Sequence, residues 1–87
     1  MSSTGRGRRP LVQAGDVVRV PEAHYLYGTG VLTMRVTAVG ADLAKYPGLE
    51  WVGLKGVEIR WDGSDGDERE ALVRVGILAV DGVVRRV

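Results

Sequence analysis

The alternation from Leu32 to Ala38 constrains this chain more than any other feature. Leu32, Met34, Val36 and Ala38 share one parity, and Thr33, Arg35 and Thr37 share the other. That is the period of a strand with one face in a core and one in water. Ahead of it, Gly15-Asp16 turns into Val17-Val18-Arg19-Val20, where Val18 and Val20 share a face. Pro21 stops this first strand because it has no N–H to donate. Valine is the commonest residue, and its branched side chain prefers a pleated, half-buried surface.

Three further strands are expected. One covers Glu50 to Trp61, where Val52 and Leu54 have one parity and Val57, Ile59 and Trp61 the other. Both sets face inward only if this strand is bulged or bent, and Gly53 and Gly56 are where a bend costs least. Asp62 to Glu68 reads as a turn, with Asp-Gly pairs at 62–63 and 65–66. The next strand runs from about Arg69 to Leu78, with Ala71, Val73, Val75 and Ile77 on one side. Asp81-Gly82 then turns into a final strand, Val83 to Val87. In the long connector from Gly40 to Leu49, Asp42 can cap one helical turn, which Pro47-Gly48 ends. The expected fold is all-β: a five-stranded small barrel or partly open roll with one short helical turn.

Eighty-seven residues allow one small core with little surplus stability, and with no cysteine there is no disulfide or thiolate–zinc site to reinforce it. Residues 1–10 carry Arg6, Arg8 and Arg9 and no acid, and read as a disordered basic arm. Residues 11–87, the barrel domain, hold nine Lys or Arg against eleven Asp or Glu, a mildly acidic balance that argues against a strong phosphate-binding surface. Arg, Glu, Asp or Gly interrupts every apolar segment, so no membrane span is expected. The N-terminal residues lack the apolar core of a signal peptide, and a cytoplasmic home follows. Ten Arg against two Lys, with abundant Val, Gly and Ala, points to a GC-rich bacterial source.

Gly15, Asp16, Val18, Val20, Gly28, Gly30 and Val31 together resemble the opening of SH3-like barrels, including bacterial domains with a KOW-type motif. The resemblance covers about a third of the chain and is at superfamily level. It implies a small barrel and, for the KOW kind, nucleic-acid binding. The loop Pro21 to Tyr27 (PEAHYLY) departs from the basic, glycine-rich KOW turn.

That loop, continued to Gly30, is the best candidate site. Tyr25 and Tyr27 alternate around Leu26, so both phenols can face solvent while Leu26 turns inward; alternatively, the rings plug one end of the barrel. Every aromatic residue is Tyr or Trp, side chains with a polar handle suited to partly wet surfaces. Trp51 has the parity opposite to Val52 and should lie outside, near Tyr46 and Pro47, covered by the chain's own arm, a second copy or another protein. Arg6, Arg8, Arg9, Arg85 and Arg86 are the candidates for contacting phosphate, in salt-sensitive fashion.

Catalytic chemistry finds little support. His24 is the only histidine, too few donors for a zinc site. Ser2, Ser3 and Ser64 fall in the arm or a turn, a poor support for a Ser-His-Asp site. The acidic turn lacks the alternating oxygen ligands of a calcium loop, because Ser64 and Gly66 follow Asp62 at those positions. Gly28-Thr29-Gly30 precedes a strand and not a helix, so it lacks a phosphate cradle. A carboxylate pair such as Glu22 with Asp16 is all an enzyme would have. The expected function is therefore non-catalytic: a module, adaptor or accessory subunit, that binds another protein or itself through Tyr25, Tyr27, Tyr46 and Trp51, without cofactor or metal. The alternative is a KOW-like nucleic-acid-binding module with Tyr25 and Tyr27 stacking and the arginines on phosphate.

Overall fold

The alternating valine segments pair into one antiparallel sheet. The computed structural model of the chain describes residues 11–26, 28–43, 45–46 and 48–86; the arm at 1–10 lies outside them. Six strands follow in chain order: β1 (Val17–Val20), β2 (Tyr25–Leu26), β3 (Leu32–Val39), β4 (Trp51–Ile59), β5 (Asp65–Arg74) and β6 (Val84–Arg85). Their order in the sheet is β2-β5-β4-β3-β1-β6, curled into a half-barrel. The all-β expectation stands, with six strands in place of five. The extra one is β2, two residues of the tyrosine loop that pair Tyr25 with Val73 of β5.

Alternation puts one face of the curl in the core. Val18 lies opposite Met34 and Val20 opposite Leu32, and all four are fully buried. Val36, Val52, Leu54, Ala71 and Val73 continue this inner face, and Val12, Leu78 and Val83 close over it. Nine of these residues are at most 2% exposed. At about 1.5–3 kcal/mol per large buried side chain, this face outweighs any cap or turn in holding the sheet.

The expected bend lies elsewhere. β4 keeps a single parity, with Val52, Leu54 and Gly56 all buried. Its neighbours carry the irregularities. Val36 pairs with Gly56 but Ala38 with Lys55, so Thr37 is an extra residue in β3. That bulge flips the parity beyond it: Ala38 is exposed and Val39 packs against the core instead. A second shift, where Val57 pairs with Glu68 and Ile59 with Asp65, places an extra residue in β5. Val57, Ile59 and Trp61 are therefore not core residues, as their parity suggested. Gly56 matters for close approach and not for bending, since a Cβ there would collide with the carbonyl of Arg35 in β3.

Other boundaries shift for local reasons. The hairpin turn is tighter than Asp62–Glu68. Arg60 donates its N–H to the Ser64 carbonyl and Gly63, at φ +88°, donates to Arg60, so β5 begins at Asp65. The Asp62 carboxylate accepts the Ser64 N–H at 3.0 Å and its hydroxyl at 2.6 Å. Those bonds, the hydroxyl one first, hold its pKa below the ordinary aspartate value. β5 ends at Arg74, and Val75–Ala79 tightens into a 3-10 turn that buries Leu78. A second 3-10 turn, Glu22–His24, follows Pro21. In the connector, Lys45 and Tyr46 both donate to the Asp42 carbonyl; the helical turn expected there is this one hydrogen-bonded turn.

Candidate ligand groove

The tyrosine loop folds back on itself. Pro21 and the 3-10 turn after β1 carry the chain to β2, where Tyr25 points inward and is only 3% exposed. Its hydroxyl donates to the Gly30 carbonyl at 2.8 Å, and the Glu22 carboxylate accepts the Gly30 N–H at 3.0 Å. Tyr25 is thus the plug, not a solvent-facing platform, and Leu26 is the outward residue at 43% exposure. The parity of a strand fixes this exchange: pairing Tyr25 with inward Val73 commits Tyr25 to the inside. Tyr27 lies outside the described residues. The Nδ1 of His24, on the same turn, is buried without a hydrogen-bond partner among the described residues.

The other expected aromatic contacts are dispersed. Trp51 faces outward from β4 as its parity required, but the Arg74 guanidinium stacks over its ring at 4.6 Å. Glu50 holds that arginine at 3.4 Å. The cover is thus in part the chain's own. Tyr46 stands 57% exposed on the connector. Tyr25 and Trp51 sit on opposite faces of the sheet and do not form one surface.

A different surface is built on the outer face of β1, β3, β4 and β6. Val17 and Arg19 of β1, Thr33 of β3 and Ile59 of β4 point away from the core, and β6 adds Arg85. Val31, before β3, and Arg60-Trp61, after β4, complete a groove of about 740 Å³. The size is that of an ordinary ligand site. Trp61 is 97% exposed, with no side chain of its own domain over it among the described residues.

Charge distinguishes this groove from the remaining surface. Residues 11–86 contain seven arginines. Four face a carboxylate: Arg35 meets Asp65 at 2.8 Å, Arg69 meets Glu58 at 3.1 Å, Arg74 meets Glu50, and Arg86 approaches the buried Asp16 at 3.9 Å. The other three, Arg19, Arg60 and Arg85, line the groove, and among the described residues no carboxylate pairs with them. Glu58 also lines it, but that carboxylate is held by Arg69.

Of the arginines expected to meet phosphate, Arg85 is in the groove, Arg86 is turned to Asp16, and Arg6, Arg8 and Arg9 lie outside the described residues. Arg19, Arg60 and Trp61 were not among the expected site residues. The signal for Arg19 is its parity opposite Val18 and Val20; that for Arg60 and Trp61 is their place at the lip of the Asp62-Gly63 turn.

Among the described residues, no three of His, Asp and Glu come together as a set of metal ligands, and no helix is long and apolar enough to cross a membrane. No family model matches the chain, and neither a curated protein nor a solved structure does.

Proposed function

We propose that this chain is a non-catalytic binding module of the SH3-like small-barrel kind, and that its contact surface is the outer groove and not the tyrosine loop. The observation that carries this is Trp61. A nearly bare indole beside Val31 and Ile59 is an apolar surface left uncovered among the described residues and rimmed by charge. Large exposed aromatics of this kind anchor interfaces when a partner desolvates them. Among the described residues the groove holds no histidine, cysteine or serine, and the one carboxylate lining it is already engaged, so it offers binding rather than acid–base or nucleophilic chemistry.

A second reading, in which a protein docks on the connector, is favoured by Tyr46 and Leu49, both exposed there. The two readings separate in one pull-down from the native host's lysate, with the wild type beside Trp61→Ser and Tyr46→Ser. Loss of retained material with Trp61→Ser alone supports the groove. Loss with Tyr46→Ser alone, or identical retention by all three, overturns it.

A further inference from the structure

We infer that the groove's ligand is a single-stranded nucleic acid, held by Arg19, Arg60 and Arg85 on its phosphates and by Trp61 on an unpaired base; this rests on the groove being the contact surface. The charge pattern comes first. Four of the seven arginines in residues 11–86 meet a carboxylate, and residues 11–87 hold eleven acids against nine Lys or Arg. Even so, three arginines line one groove with no carboxylate paired to them among the described residues, the groove's own Glu58 being held by Arg69. Placing like charges together without a counter-charge costs free energy in the empty state, and an anionic ligand recovers it. An isolated surface arginine needs no explanation, but three sharing one groove ask for an anion.

The second observation selects the kind of anion. Trp61 offers both its faces to solvent at 97% exposure, and the residues beside it, Val31 and Ile59, are apolar. A carboxylate-bearing peptide satisfies the arginines but supplies no flat partner for the indole. A duplex satisfies the arginines too, but its bases are stacked on one another and unavailable. A single strand supplies both: phosphates for guanidinium, and a π-face for the indole. The expected seat is short, since one groove with three arginines meets about three phosphates.

The test is fluorescence anisotropy on the full chain. The probes are a labelled mixed-sequence single strand of about 12 nucleotides, in DNA and RNA form, the duplex of the same sequence, and labelled polyglutamate. The single strand should bind best, and its log K should fall against log salt with a slope near −2 from the groove. Trp61→Ala should weaken binding about 5- to 150-fold, with Trp61→Phe recovering part of the loss. Arg19→Ser, Arg60→Ser and Arg85→Ser should each flatten the salt slope by about 0.7. The basic arm is kept in every variant, so its contribution stays constant, and circular dichroism melts confirm that each variant folds.

In a Trp51→Phe background, the remaining emission comes from Trp61 alone and should be quenched by the strand. No binding to the strand at low salt, equal affinity for strand and duplex, or indifference to Trp61→Ala each overturns the inference. Tight polyglutamate binding that falls with the groove variants, without strand binding, also overturns it but leaves the groove as the contact surface. If the groove variants also leave the lysate pull-down unchanged, the groove itself is abandoned.

Discussion

The two tryptophans stand at opposite ends of one strand and meet opposite fates. At the start of β4, Trp51 lies under the Arg74 guanidinium, and Glu50 fixes that arginine in place. Just past its end, Trp61 is bare and Arg60 beside it has no carboxylate partner among the described residues. Both have outward parity, and both belong to the aromatic set with polar tips. The difference is that β5 brings a cation to the first, where Glu50 of the preceding connector meets it, and only a tight turn follows the second. An outward aromatic is therefore not a site by virtue of its type. On the reading proposed above, it becomes one where the described residues leave it uncovered.

Gly56 offers the strongest way to break the comparison, because the strand that separates the two tryptophans depends on it. Gly56→Ala forces a methyl against the Arg35 carbonyl and the Met34 side chain, so β3 and β4 must part. Overpacking of this kind costs about 1–3 kcal/mol. Urea denaturation should show it as a lower midpoint, and an unchanged midpoint would mean the strands have slack there. A smaller effect is expected at Trp51. Trp51→Ala loses a partly buried ring and its contact with Arg74, about 1–2 kcal/mol of stability. Trp61→Ala should change stability by no more than about 0.5 kcal/mol, since almost nothing touches the ring. Equal losses at both positions would erase the distinction between a covered and an open aromatic.

The contrast between the two ends also explains what was legible in the sequence. Alternation alone placed Val18, Val20, Leu32, Met34, Val36, Val52 and Leu54 inside, because a strand buried on one face leaves no freedom in its parity. It failed past the bulges. The extra residue at Thr37 exposes Ala38, and the irregularity opposite Val57 lies in β5, not in β4. Such a residue leaves little trace in its own strand, because register is a property of the pair. That is why Val57, Ile59 and Trp61 read as a second core row when they belong to the outer face.

Of the two readings of the tyrosine loop, the solvent-facing one failed at Tyr25 for a related reason: β2 exists only through its pairing with β5, which local composition does not encode. The groove arginines were harder still. Their distinction lies in which carboxylates reach them, a fact of three-dimensional packing that net charge averages away.

The smallest expected effect tests whether Trp51 owes its cover to Glu50. The ion pair between Arg74 and Glu50 spans 3.4 Å with the glutamate side chain 71% exposed, so solvent screens most of the attraction. Glu50→Gln should therefore cost less than about 0.5 kcal/mol, near the limit of a denaturation curve. Its more telling readout is optical. With Trp61 replaced by Phe, emission reports Trp51 alone. If Glu50 orients the guanidinium, Glu50→Gln should let the cation leave the ring and shift that emission toward the red as water reaches the indole. An unshifted spectrum would show that stacking by itself holds Arg74 in place, the aromatic face attracting the cation without help from the acid.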